Sequence, residues 1–174
     1  MMHSSKEKQF LPTIMLFECW APLRVFAWLT TLDDRCWTND RRKRHGLTDN
    51  DTCSVCDQEC ETISHLLIQC SFSQQIWHDI LAKLNLPMCM PRNDEEFCQW
   101  FDAAASNADP SLRKGIKSII LLTIWRLWKT RNDSVFNNIN PAGRTLLYLC
   151  LRKPGCGCLQ VPRRCVDWLS ILVA

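Results

Sequence analysis

Between Phe17 and Leu32 the apolar residues Trp20, Leu23, Phe26, Ala27 and Leu29 recur at spacings of three and four. That spacing predicts a buried helix entered near Pro22. Asp33 or Asp34 is placed to cap a second helix running to about His45. Acid stands at its start, Arg41, Arg42, Lys43 and Arg44 fill its last turns, and Gly46 follows. This order suits the helix dipole and a C-terminal cap. A polar loop over 47–52 leads to Cys53. Thr62 can cap a short helix containing His65, Leu66 and Leu67, and Ser71 with Gln74 forms a capping box for the next. On that helix Phe72, Ile76, Ile80 and Leu84 make one stripe, joined by Trp77 and Leu81, and the pattern stops before Pro87.

Pro87 to Pro91 reads as a linker. Asn93 or Asp94 is placed to open a helix through Phe97, Trp100 and Phe101 that ends near the turn from Ser106 to Pro110. The longest helical pattern starts at Ser111 and reaches about Phe136. Ile119 to Leu122, with Ile124, Trp125, Leu127 and Trp128, is apolar almost all round and predicts burial. After Pro141 the signal weakens to a short helix over Leu146 to Leu151, then a turn-rich break over 153–158. The fold class that results is mainly α, with little or no sheet.

Composition narrows the picture. Hydrophobic residues make up 47% and charged residues 22% of the 174 positions, which excludes general disorder. Eight tryptophans against one tyrosine predict aromatic anchors in the core or at an interface. A net charge of +3 does not by itself imply nucleic acid, so the cluster at 41–44 carries that question. The apolar stretch from Phe10 to Leu32 is broken by Pro12, Glu18, Pro22 and Arg24, so neither a membrane span nor a secretory core is expected. The expected setting is an intracellular, reducing compartment, where the twelve cysteines read as metal ligands and buried thiols.

Cys53 and Cys56 form a C-x2-C pair, followed by His65 and Cys70 as x8-H-x4-C. Two thiolates on a tight knuckle, with an imidazole and a third thiolate on a short helix, can converge on a tetrahedron. Zinc suits that donor set, and four protein ligands leave no place for a catalytic water, so one structural zinc is expected. The competing view is four unrelated residues at compatible spacings, and the full set outweighs it. Cys60, four residues after Cys56, could replace one ligand, but with a full set already present it reads as a bystander thiol. Cys156, Cys158 and Cys165 offer only a C-x-C with no nearby histidine.

Several runs resemble a known family. They are Phe26-Ala-Trp-Leu29, Asp34-Arg-Cys-Trp-Thr38, Arg41-Arg-Lys-Arg-His-Gly46, Cys53-x2-Cys56-Asp-Gln-Glu, Glu61-Thr-Ile-x-His65-Leu-Leu-x-x-Cys70 and Trp77. Together they resemble the zinc-binding domain of plant reverse transcriptases, which lies downstream of the polymerase in LINE-type non-LTR retroelements. The likeness covers about 17–85, and Cys53, Cys56, His65 and Cys70 match the family's zinc ligands. Ile124-Trp-Arg-Leu-Trp-Lys-Thr-Arg-Asn132 with Val135-Phe136 resembles the segment that often precedes a ribonuclease H domain. The residues after Pro141 depart from the start of such a domain, and the expectation is a truncated or frame-shifted element. The organisation expected is a frayed start over 1–16, a zinc-binding domain over 17–85, a helical extension over 92–138 and a poorly defined tail over 141–174.

Catalytic signals are weak. Leu32-Asp33-Asp34 has paired acids without a preceding polymerase, and helix capping explains it better. His45 and His78 lack an evident nucleophile, and five glycines supply no phosphate-cradling loop. The chain is therefore not expected to be an enzyme. Arg35, Trp37, Arg41, Arg42, Lys43 and Arg44 could hold RNA or DNA by phosphate contact and one stacking ring, with a solvated basic helix end as the bland alternative. The basic run also fits a nuclear localisation pattern. Two functions stay open: an accessory module for nucleic-acid handling, or an interaction scaffold docking a protein through Trp125 and Trp128. A decayed fragment without function is a third.

Overall fold

The structure is a computed structural model and describes residues 21–31 and 35–151. Helix α1 (Ala21–Thr31) is followed by a short α2 (Asn39–Arg44), a π turn (His65–Gln69), α3 (Ser71–Lys83), a 3-10 turn (Pro87–Cys89), α4 (Phe97–Ser106), α5 (Arg113–Asn137) and α6 (Gly143–Leu151). Among the described residues no strand occurs, only one antiparallel bridge between Thr52 and Cys60. The mainly helical fold is as the periodicity implies. No helix among them is long and apolar enough to cross a membrane.

The long α5 is the axis. α1 and α4 pack along it, and α6 bridges it to α3. Its apolar positions Ile116, Ile119, Ile120, Leu121, Ile124 and Leu127 are buried, as expected for a helix with no polar face over its middle. The stripe of α3 meets the same core through Ile76, Trp77, Ile80 and Leu81. Trp77 and Trp100 touch edge to face with centroids 4.8 Å apart. Each indole finds an acceptor: Trp77 Nε1 donates to the Leu67 carbonyl at 2.8 Å and Trp100 Nε1 to that of Cys89 at 2.9 Å. Burying a tryptophan without such a partner would forfeit part of its hydrophobic gain.

Helix starts differ from the sequence expectation for local reasons. α2 begins at Asn39 with extended Thr38 as its cap, not at Asp33 or Asp34, which lie outside the described residues. The turn from Cys36 to Thr38 and the burial of Cys36 keep 35–38 out of helix. The end of α2 is as expected: Gly46 has φ 68°, Leu47 N–H donates to the Arg42 carbonyl and Gly46 N–H to that of Lys43, the Schellman pattern. At α3 the cap is Cys70 and the capping box does not form. The Gln74 amide donates instead to the carbonyls of Ile68 and Pro91. α4 starts from Glu96 because residues 92–95 close a turn of their own, with Glu95 accepting from the Arg92 N–H at 3.1 Å. The expected linker after Pro87 is packed, with Cys89 and Pro91 buried. The expected helix over Leu146 to Leu151 begins at Gly143 and buries Leu146 and Cys150.

Candidate metal centre

A miniature hairpin carries the first two cysteines. Cys53 N–H donates to the Glu59 carbonyl at 2.7 Å and Glu61 N–H to that of Asp51 at 2.8 Å, on either side of the Thr52–Cys60 bridge. Between them the chain turns through Asp57, whose φ of 54° is tolerable for an aspartate. The backbone N–H groups of Val55 and Cys56 donate to the Cys53 sulfur, which aims the thiol into the turn.

The other two residues come from the start of the π turn and the residue that follows it. Thr62 Oγ1 accepts from His65 N–H at 3.0 Å, the cap expected of it. Cys70 N–H then reaches back five residues to the His65 carbonyl at 2.7 Å. In an α-helix, residues five apart would stand about 140° apart around the axis. The wider π turn closes on the fifth residue instead, so His65 and Cys70 can face one point. Cys70 also caps α3, and the N–H groups of Phe72 and Ser73 donate to its sulfur. A helix N-terminus favours a thiolate.

These pieces place one donor atom each of Cys53, Cys56, His65 and Cys70 within 4.8 Å of one another. Cys56 Sγ lies 3.4 Å from His65 Nε2. The corresponding edge of a tetrahedron with Zn–S bonds of about 2.3 Å and Zn–N of about 2.0 Å is about 3.5 Å. The donors thus fit a small tetrahedral ion, and the cluster could hold a metal. Cys53, Cys70 and His65 are buried, with Leu66, Val55, Phe72 and Trp128 packed around the sulfurs.

The Cys70 sulfur and burial push the Cys53 thiol up to about 12, while the Cys53 thiol and the two helix N–H groups draw that of Cys70 down. Burial works against a charged His65, but Cys53 and Glu59 outweigh it and its pKa rises. His65 Nδ1 lies 3.3 Å from the Glu59 carboxylate. Nδ1 makes no hydrogen bond at that distance, but with Nε2 turned to the sulfurs the carboxylate stands on the side from which metal-binding imidazoles are commonly oriented. The spacing motif does not show Glu59.

Cys60 is exposed and outside the cluster. Asp33, Asp34, Cys156, Cys158 and Cys165 lie outside the described residues. The basic run is brought together on α2, and its charges are engaged within the chain. The Arg41 guanidinium sits 4.2 Å from the Trp37 ring centroid, Arg42 donates to Asn39 at 3.2 Å, Lys43 meets Asp51 at 3.0 Å and Arg44 meets Asp40 at 3.0 Å. Arg35 and Trp37 are exposed. Trp125 and Trp128 are half-buried, with centroids 5.4 and 5.5 Å from that of Phe26 on α1. His45 packs against Trp37 and His78 lies exposed beside Asp79.

No curated protein and no solved structure matches the chain. Residues 1–77 match a family described as zinc-binding in reverse transcriptase, so the segment holding all four clustered residues has the support of that family for a reverse transcriptase zinc-binding domain.

Proposed function

We propose that the chain binds one structural zinc ion through Cys53, Cys56, His65 and Cys70, as the non-catalytic zinc module of a plant LINE-type reverse transcriptase. The observation that carries this reading is the convergence of three sulfurs and one imidazole nitrogen. Four protein donors complete a tetrahedral shell, and a closed shell leaves no site for an activated water. Zinc holds the knuckle and the π turn in one geometry and contributes directly to folding. The test is metal content by mass spectrometry, in the parent and in a His65→Ala, Cys70→Ser variant. One equivalent of zinc, lost in the variant with part of the helical circular dichroism, is expected. A folded parent without zinc would overturn the reading.

The module serves nucleic-acid handling through Arg35, Trp37 and the 41–44 run. The exposure of Trp37 among Arg35, Lys43 and Arg44 supports this, since a solvent-facing ring amid cations suits a stacked base and its phosphates. Replacing residues 41–44 with alanine is expected to keep the zinc and abolish salt-sensitive binding of single-stranded RNA in fluorescence anisotropy. Binding unchanged by the replacement would remove this role.

A further inference from the structure

Arg131 is 0% exposed and Glu61, its partner, is 0% exposed as well. Charged side chains are almost never buried so fully unless they are paired. Arg131 stands on α5, outside the segment that matches the zinc-binding family. Its Nε and Nη2 donate to Glu61 Oε1 at 2.9 and 2.6 Å, Nη2 donates to Asn39 Oδ1 at 2.9 Å and Nη1 to Asn132 Oδ1 at 3.1 Å.

Glu61 passes this hold to the metal knuckle. Its Oε2 accepts from the Ser54 N–H at 3.2 Å and from the Ser54 hydroxyl at 3.1 Å, while Oε1 also accepts from the Asn39 N–H at 2.8 Å. Ser54 lies between Cys53 and Cys56. One turn beyond Arg131, the Ser134 hydroxyl donates to the Ser54 carbonyl at 3.1 Å. The loop between the two cysteines is therefore gripped at its N–H, hydroxyl and carbonyl by groups tied to α5. Deleting the guanidinium leaves a buried carboxylate uncompensated, which is strongly unfavourable. Glu61 then turns toward water and draws Ser54 and both thiols out of register.

We infer that Arg131 is a positioning residue of the metal centre, acting through Glu61 and Ser54, so that the metal-binding unit includes α5. This rests on the zinc reading above. The test measures zinc affinity of the full chain by competition with a chromogenic chelator, together with the visible absorption of the Co2+-loaded protein. Arg131→Met is expected to weaken zinc about ten- to a hundredfold, the range typical of outer-shell partners, and to alter the cobalt bands. Arg131→Lys restores part of the affinity, because it returns the charge without the planar fork. Phe101→Leu, in the α4–α5 contact, lowers the thermal midpoint and leaves zinc affinity unchanged.

Unchanged affinity and cobalt bands in folded Arg131→Met would overturn the inference, as would an equal loss in Phe101→Leu. Should Arg131→Met not fold, Ser134→Ala decides. A severalfold weaker zinc affinity supports the grip on Ser54, and parental affinity refutes it. A parent that binds no zinc sinks both readings, whereas a zinc-binding parent with indifferent variants sinks this one alone.

Discussion

The knuckle over 52–61 and the helical core over 72–151 are organised by opposite means. In the core, apolar side chains of α3, α4, α5 and α6 bury one another, and polar contacts such as those of the Trp77 and Trp100 N–H groups satisfy what is left inside. The knuckle has little apolar content. Its only fully buried hydrophobic residue is Cys53, and its shape comes from backbone hydrogen bonds, the Glu61 carboxylate and the donor cluster. A core of this kind is stable in proportion to area removed from water. A ten-residue loop cannot bury enough area, so directional bonds take over, and on the zinc reading a cation completes them. The π turn and the Cys70 that follows it join the two regimes, with His65 and Cys70 in the cluster and Leu67 and Ile68 in the core.

The largest break in this contrast comes from the ligands. Cys53→Ser is expected to abolish stoichiometric zinc and to collapse amide hydrogen-exchange protection over 52–70, while protection in α5 persists at its middle. Loss of protection throughout would mean that the core depends on the metal as well. Next in size is Trp77→Ala, which removes a fully buried ring and takes its N–H away from the Leu67 carbonyl. It should cost about 3–5 kcal/mol in urea unfolding of the zinc-loaded chain. A cost below about 1 kcal/mol would show that the edge-to-face pair with Trp100 is dispensable.

Ser73→Ala probes the seam, because the buried Ser73 hydroxyl donates to the Leu66 carbonyl at 2.6 Å. About 1–3 kcal/mol of destabilisation is expected, read by the same unfolding curve, and a neutral result would place the seam's strength elsewhere. The smallest effect belongs to Thr38→Ala. The cap bond to Arg41 N–H is long at 3.5 Å, so the loss should fall near the lower end of the usual range, about 0.5 kcal/mol. A loss above about 2 kcal/mol would give α2 a larger share in holding the knuckle.

Part of each region was legible in the sequence. The four clustered residues announce themselves by type and spacing, since thiolates and imidazole at short intervals have few other uses. The apolar periods of α3 and α5 were equally plain. Helix starts were misplaced where a residue had a competing duty: Cys70 caps α3 because its sulfur must reach the cluster, and Gln74 then serves other carbonyls. The π turn leaves no periodic trace, since five residues are too few to distinguish it from a helix. Arg131 did leave one. It follows Ile124 and Leu127 by seven and four positions on the buried face of α5, and a guanidinium there requires a buried acid. What the sequence does not reveal is which acid, because Glu61 lies 70 residues away.

That separation sets an order of events during synthesis. The cysteines of the knuckle leave the ribosome well before Arg131, and at the usual pace of about 5–20 residues per second the delay amounts to several seconds. Throughout it the nascent chain can present thiols to a cation while Glu61 still faces water. The guanidinium arrives last and closes a long loop whose entropic cost rises only slowly with length. On the zinc reading it acts as a latch on a site whose ligands are made ahead of it.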